Sequence, residues 1–246
     1  MSCRDIQWLD PKNVCNLGRV PVTKKTNPFV QTAIQVLKNT NINYKETVVF
    51  DYYSNRRFNP LTLADFYSVK SKALSEVPAN YIFLPWLHSV PVCEYIDNDF
   101  FGFKCDESIY LLVEKIKQIL RSFRRYGYKP ENFPDKKGGY ITGYYLLNNR
   151  NKKFYVVSGN HRMAILAALS NTKVPVKFEM CEHLKPRDKV NNMMFKTKCK
   201  QYLFFDKPGV YIKDISILAV DNWPAVKSGF IEREIAISIF NNYTDK

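Results

Sequence analysis

The stretch FYVVSGNHRMAILAAL, residues 154–169, carries the strongest structural signal in this chain, because an apolar strand pattern ends in it and an apolar helix pattern begins at once. The strand is predicted to end at Ser158-Gly159, and the helix to carry His161 and Arg162 in its first turn. Free N–H groups at a helix N-terminus attract anions, and an Arg side chain can donate to two phosphate oxygens at once. The pattern therefore indicates a phosphate-binding turn over residues 158–162.

A purely structural interpretation of the same turn remains open. In that interpretation Arg162 forms a salt bridge within an ordinary strand–turn–helix unit. His161 is a candidate general acid or phosphate-orienting group, because the reference pKa of histidine lies near neutrality. It is equally compatible with a ring that is hydrogen-bonded only to the backbone.

Composition sets broad limits on the fold and on the partners. The chain has 246 residues, of which 46% are hydrophobic, and this is enough for one large domain or one domain with an added lobe. The net charge of +14 favours a polyanionic partner such as a nucleotide, nucleic acid, phosphorylated sugar or membrane surface. The sequence contains no run of about 20 apolar residues, so no membrane span is expected. The N-terminal residues show no apolar secretion signal, so a cytoplasmic location is expected.

The cysteines do not indicate a metal site. They show no Cys-x-x-Cys pair, and only Cys181 has a histidine close by, at His183. Two such ligands are too few to hold a zinc ion alone. The six are therefore expected to be reduced thiols: Cys3, Cys15, Cys93, Cys105, Cys181 and Cys199.

The flanking segments show shorter patterns. Asn27 and Pro28 predict the start of a helix that ends near Asn39. Residues 47–53 are β-branched or aromatic except for Asp51, which predicts a strand or an extended edge. A helix is predicted from Leu61-Thr62 through Leu74, and another over 231–240.

The region before the central turn predicts a long amphipathic helix. Its apolar face repeats at helical spacing, and the helix is expected to end at Gly127. A second stripe on this helix carries Lys115, Gln118, Ser122 and Arg125. Two strands over 140–147 and 153–157 should then form a hairpin, and a further strand is predicted over 174–179. The predicted apolar face comprises Ile109, Leu112, Val113, Ile116, Leu120 and Phe123.

This order of helix, hairpin and Gly159-Asn160-His161-Arg162 turn resembles the ParB/sulfiredoxin superfamily over residues 108–182. The resemblance implies an α/β (α+β) fold, with a small mixed sheet flanked by helices and with N- and C-terminal additions. It implies a nucleotide- or phosphate-binding core over 108–182. An N-terminal α/β segment over 1–107 is expected to pack on this core, although residues 1–80 could form a separate lobe, and a C-terminal helical extension is expected over 183–246. The resemblance further implies that Lys115, Gln118 and Ser122 hold nucleotide phosphates together with the Ser158–Arg162 turn.

Two departures from the superfamily limit what is carried over. Asn160 stands where sulfiredoxin has its catalytic cysteine, so the redox activity is not expected. No helix-turn-helix pattern follows downstream, which disfavours a role in DNA segregation. Looser motifs over residues 81–245 resemble ParB-like proteins of bacterial surface-polysaccharide gene clusters, which suggests a role in glycan or glycan-precursor chemistry.

The expected function is a nucleotide-dependent phosphotransferase, a small-molecule or sugar kinase in surface-polysaccharide or glycan-precursor synthesis. It would use ATP or another nucleoside triphosphate with Mg²⁺, and a small hydroxylated or phosphorylated substrate. The alternative is a ParB-like protein that senses nucleotides or binds nucleic acid without catalysis.

Further candidates are weaker. Glu94 is the preferred carboxylate for a catalytic base or Mg²⁺ ligand, ahead of neighbouring acidic residues at 97, 99 and 106, although surface carboxylates are commonly only solvated. Substrate contacts are predicted for Lys129, which could reach an acidic substrate, and for Trp86, which could stack on a ring or lie in the core. Asp221 and Lys227 flank a Trp-Pro break and are predicted to cover the site.

Overall fold

The computed structural model describes residues 6–54, 61–79, 81, 83–91, 104–132, 139–148, 151–180 and 211–244. They form a mixed α/β structure, so the predicted α/β class is confirmed at that level. The strands are β1 (Ile6–Leu9), β2 (Val14–Asn16), β3 (Ile141–Asn148), β4 (Asn151–Ser158), β5 (Val174–Met180), β6 (Tyr211–Ile212) and β7 (Asp214–Ser216). The helices are α1 (Pro28–Lys38), α2 (Val48–Ser54), α3 (Leu63–Tyr67), α4 (Lys72–Ser75), α5 (Asp106–Tyr126), α6 (Asn160–Ala168), α7 (Pro224–Lys227) and α8 (Arg233–Thr244).

The described residues divide into two compact units. The first is drawn from Met1–Phe58, Gly102–Tyr144 and Lys153–Glu179, and the second from the remaining segments. In the ranges that the structure covers, no helix combines the length and the apolar character needed to cross a membrane.

The first unit is built on a mixed sheet with the strand order β1-β5-β3-β4-β2. Strand β5 pairs with β1 in antiparallel register, Ile6 opposite Lys177, and with β3 in parallel register, Ile141 opposite Val176. Strand β2 runs parallel to β4. Helix α1 packs against α2, α5 and α6, and α5 also packs against α6. The predicted strands and the predicted helix around residues 154–169 are therefore confirmed.

Helix α1 begins and ends where the sequence predicts. The Asn27 side chain accepts hydrogen bonds from the backbone N–H groups of Phe29 and Val30, at 3.0 and 3.2 Å. Pro28 occupies the first helical position, where its missing N–H is not needed. The helix ends at Lys38, one residue before the predicted boundary.

The predicted strand over residues 47–53 is wrong, because Val48–Ser54 is helix α2. Two polar side chains of α1 accept hydrogen bonds from the first N–H groups of this helix. Gln35 Oε1 accepts from the Val48 N–H and Thr32 Oγ1 from the Val49 N–H, both at 2.9 Å. These caps come from another helix, so the tertiary contact overrides the β-propensity of the local sequence.

The single helix predicted from Leu61 through Leu74 is also wrong. Helix α3 ends at Tyr67, and the capping residue Ser68 has a left-handed φ of 56°. Helix α4 then begins after Ser71, whose side chain accepts from the Leu74 N–H. Short polar side chains favour such ends over continued helix, because they bond to the local backbone.

Helix α5 has the predicted amphipathic form and ends before Gly127, whose φ is 74°. The predicted apolar face is confirmed for five of its members, and Phe123 is only half-buried. Lys117 is also buried, and its ammonium group donates to Glu114 and to the backbone carbonyl of Ile42 at 2.8 and 3.1 Å. The fully buried predicted members are Ile109, Leu112, Val113, Ile116 and Leu120.

The second unit has an aromatic core. The Trp86 ring lies edge-on to the rings of Trp223, Phe240 and Tyr243, with centroid separations of 5.7, 5.3 and 5.3 Å. All four side chains are essentially buried. Helix α8, which supplies two of them, begins two residues later than predicted and extends to Thr244.

Close backbone approach in the hairpin requires glycine at position 143. A Cβ atom there would overlap the Tyr155 carbonyl oxygen and lie 2.7 Å from the Phe154 ring. We expect Gly143→Ala to destabilise the protein by about 3 kcal/mol, a value typical of overpacking. Thermal unfolding should show a fall in Tm of roughly 6–12 °C.

The matched control is Gly229→Ala. Gly229 has a φ of 71° but open space around the added atom, so the cost is backbone strain of about 1–2 kcal/mol. An equal fall in Tm in the two variants would show that the structure accommodates the added Cβ atom at position 143 at little cost.

His88 should make the stability of the protein depend on pH. Its Nδ1 atom accepts the Leu84 N–H at 3.0 Å, and burial lowers the pKa of the imidazole to about 4. The unfolded chain binds the proton more readily, so stability is full above about pH 6.5 and is lost as the pH falls towards 4. Between pH 7.5 and 5 the loss attributable to His88 is about 2 kcal/mol.

Chemical unfolding at the two pH values measures this loss. His88→Asn keeps an acceptor near the Nδ1 position but does not titrate, so its stability should fall by about 2 kcal/mol less over the same range. An identical pH dependence in both proteins would contradict the assignment.

Candidate functional site

The turn before α6 is built around Gly159. This residue has a φ of 93°, a conformation that side chains other than glycine rarely adopt. A Cβ atom on it would lie 3.0 Å from both Arg162 Nη2 and Ile141 Cγ1. The guanidinium group of Arg162 therefore lies directly over the glycine. Helix α6 then begins at Asn160, and no side chain caps its N-terminus.

Arg162 is a partly buried cation that has no acidic partner among the described residues. Its Nη1 atom donates to the backbone carbonyl of Gly139. Within the described residues no carboxylate forms an ion pair with it, and four of its five N–H donors are left for other acceptors. Burial lowers the pKa of the guanidinium, because a low-dielectric environment disfavours the charged form. The salt bridge allowed by the structural interpretation of the sequence is not seen among these residues.

Tyr128 completes the support of this turn. Its hydroxyl donates to the Gly139 carbonyl at 3.3 Å and accepts from the Ile141 N–H at 3.0 Å. Burial raises the pKa of the phenol to about 12, against the opposing effect of the Arg162 charge. Sequence reasoning missed this residue, and its only signal was an aromatic side chain placed directly after the helix-ending Gly127.

The other two residues of the turn differ in their surroundings. The Oδ1 atom of Asn160 is buried and has no hydrogen-bond partner in the described part of the chain. The His161 ring packs edge-on against Phe29 of α1, with ring centroids 5.0 Å apart. Ser158 is exposed at the end of β4. Within the described structure, the turn therefore combines a helix N-terminus without a side-chain cap, a cation without a carboxylate partner and a buried amide oxygen without a hydrogen bond.

The predicted phosphate ligands on α5 are exposed. Lys115, Gln118 and Ser122 all point away from the buried face of the helix. None of the hydrogen bonds or ion pairs of the described residues joins them to the first turn of α6. Ser122 instead borders a groove of about 400 Å³ at the end of α5. Its lining residues are Ser122, Phe123, Arg125, Tyr126, Gly127, Lys129 and Asn132.

The predicted substrate contacts are divided between the two units. Lys129 lines the α5 groove in the first unit. Trp86 is 1% exposed within the aromatic core of the second unit. Asp221 forms an ion pair with Arg233 at 2.7 Å in that unit, and Lys227 is exposed on α7.

The predicted carboxylates supply no metal site among the residues with described structure. Glu94, together with the acidic residues at 97 and 99, lies outside the described ranges. Asp106 accepts from the Lys45 ammonium at 3.4 Å and from the Tyr44 hydroxyl at 3.3 Å. No group of three or more His, Cys, Asp or Glu side chains in the described ranges is arranged to hold a metal ion.

The Tyr128 hydroxyl should contribute measurably to stability. Tyr128→Phe leaves the buried Ile141 N–H without its acceptor, which costs about 1–3 kcal/mol. Chemical unfolding measures the difference. Tyr126→Phe is the matched control, since Tyr126 is exposed and has no such bond, and it should change stability by less than about 0.5 kcal/mol. Equal changes in the free energy of unfolding for the two substitutions would show that the Tyr128 hydroxyl does not support the turn.

No family model matches this chain, and neither a curated protein nor a solved structure matches it.

Proposed function

We propose that this protein binds a nucleotide through phosphate groups held at the first turn of α6, and that it acts as a nucleotide-dependent phosphotransferase on a small hydroxylated molecule. The observation that carries the proposal is the Arg162 guanidinium, which is partly buried at an uncapped helix N-terminus without a carboxylate partner in the described structure.

Physical chemistry supports an anion at this position. A buried charge is normally paired, because its removal from water is costly. The positive end of the α6 dipole adds to the Arg162 charge and would favour an anion further. The glycine at 159 lets the Arg162 guanidinium approach the backbone closely, since no Cβ atom covers the turn. Phosphate oxygens suit this combination of N–H donors and a forked guanidinium.

The residues present fit a nucleotide phosphate better than a resident metal. Arg162 and the free N–H groups of α6 would bind the phosphate oxygens, and His161 would help to orient them. A bound nucleoside triphosphate supplies the transferable phosphoryl group. The described residues do not build a Mg²⁺ site, so a metal ion would bind mainly through the nucleotide phosphates.

The family assignment belongs to the same proposal. The order of α5, the β3–β4 pair, the glycine turn and α6 supports a ParB/sulfiredoxin-like core. The role in surface-polysaccharide or glycan-precursor synthesis and the cytoplasmic location rest on the sequence resemblance. They extend the proposal beyond the site itself.

A non-catalytic nucleotide sensor is the second candidate. A phosphotransferase needs a group to orient or deprotonate its acceptor, and the predicted base Glu94 lies outside the described ranges, whereas a sensor needs only the phosphate contacts. The two candidates differ in turnover. Release of product from the nucleotide only when an acceptor is added would favour the enzyme.

The first test is thermal unfolding of the full chain with ATP, CTP and GTP, with and without Mg²⁺. At 100 times its Kd, a nucleotide should stabilise the protein by about 2.7 kcal/mol. Loss of the Arg162 contact in Arg162→Ala should weaken binding roughly 10- to 100-fold, as expected for a charge-assisted hydrogen bond.

Ser158→Asp and Ser158→Asn separate binding from folding. Ser158 is exposed, and a carboxylate beside the N-terminus of α6 suits the helix dipole but repels phosphate. The Asp variant should fold normally and lose the nucleotide shift, whereas the Asn variant should keep it. A shift retained in Ser158→Asp, or no shift with any nucleotide in the unmodified protein, would refute the phosphate site.

A further inference from the structure

We propose that the outer face of α5 and the groove at its C-terminal end bind single-stranded nucleic acid. The surface consists of the exposed stripe Lys115, Gln118, Ser122 and Arg125 and of the groove that continues it to Lys129. We call it the α5 surface. The family resemblance assigns Lys115, Gln118 and Ser122 to the nucleotide phosphates, but no hydrogen bond or ion pair of the described residues joins them to the α6 turn. The α5 surface and the phosphate site around Arg162 are therefore tested separately.

The charge of the α5 surface is not neutralised. Lys115, Arg125 and Lys129 are exposed and form no ion pair within the described residues. Glu131 is the only carboxylate between residues 121 and 132, and it pairs with none of them. A row of positive side chains without acidic partners attracts the phosphates of a nucleic acid along the whole length of the row.

An exposed aromatic ring lies next to these charges. The Tyr126 side chain is 60% exposed, and the Arg125 guanidinium lies 5.2 Å from the centre of its ring. A planar ring beside a cationic groove is the combination on which unpaired bases stack while their phosphates are bound. Bases in a duplex are already stacked and paired, so the ring favours single strands.

The dimensions favour a polymer over a small anion. Lys115 and Arg125 are ten helical residues apart, or about 15 Å along the axis, and the groove extends the charged surface beyond them. A single phosphate or carboxylate reaches only a fraction of this length.

Helix stabilisation alone does not explain the arrangement. Basic residues in a last turn offset the helix dipole, and Arg124 and Arg125 both satisfy that requirement. Only Arg125 lines the groove, however, whereas Arg124 is exposed outside it. The chain therefore offers a matched pair of adjacent arginines for a test.

The experiment measures fluorescence anisotropy of a labelled oligothymidylate of about ten nucleotides, a length within the usual site size, with the full chain over a range of salt concentrations. Tyr126→Ala should weaken binding roughly 5- to 100-fold, and Tyr126→Phe should retain it, because stacking needs the ring and not the hydroxyl. Arg125→Gln should reduce the slope of log K against log salt by about 0.7, the value for one phosphate contact on a single strand. Arg124→Gln should leave the slope unchanged.

The competing explanations give different results. Equal effects of Arg124→Gln and Arg125→Gln, or an unchanged affinity in Tyr126→Ala, would overturn the proposal. So would equally tight binding of a duplex of the same sequence or of heparin, since this would show attraction to any polyanion. Ser158→Asp distinguishes the two sites, because it should abolish the nucleotide shift and leave oligonucleotide binding intact.

Discussion

Two side chains donate hydrogen bonds to the carbonyl oxygen of Gly139, and this common acceptor organises the candidate site. The Tyr128 hydroxyl reaches it from just beyond the end of α5, and the Arg162 guanidinium reaches it from the first turn of α6. One backbone oxygen thereby joins the helix end, the residues leading into β3 and the start of α6. The same geometry places the guanidinium over Gly159, where a Cβ atom would lie 3.0 Å from Nη2. The conformation of the turn and the position of the cation are therefore coupled.

Within the described residues no carboxylate neutralises the Arg162 charge. A carbonyl oxygen accepts one hydrogen bond from Arg162 but offers no compensating negative charge. Burial of the guanidinium and the unpartnered Oδ1 atom of Asn160 both carry a free-energy cost in the absence of a ligand. Proteins commonly accept such costs at binding sites, where a ligand relieves them. The unpaired charges of the α5 surface carry a smaller free-energy cost, since they are solvated.

Several elements were predictable because their signals are local. The Asn27-Pro28 start of α1, the amphipathic face of α5 and the strand–glycine–helix order around Gly159 all depend on residues within a few positions of one another. Helix α2 was mispredicted because its first N–H groups are received by Thr32 and Gln35, about fifteen positions earlier in the chain. The location of a cationic helix start could be inferred from the sequence, whereas the partners of its side chains could not.

The amino-acid sequence alone established the mixed α/β class, the strand–turn–helix unit and the presence of Arg162 at a helix N-terminus, because periodicity and capping operate over one or two turns. Three-dimensional packing established that Arg162 bonds to a carbonyl and not to a described carboxylate, and that Tyr128 supports it. It also placed Ser122 in a groove with Lys129 and not in contact with the α6 turn. These relations join residues up to some thirty positions apart, and burial and distance between such residues exist only in the folded chain.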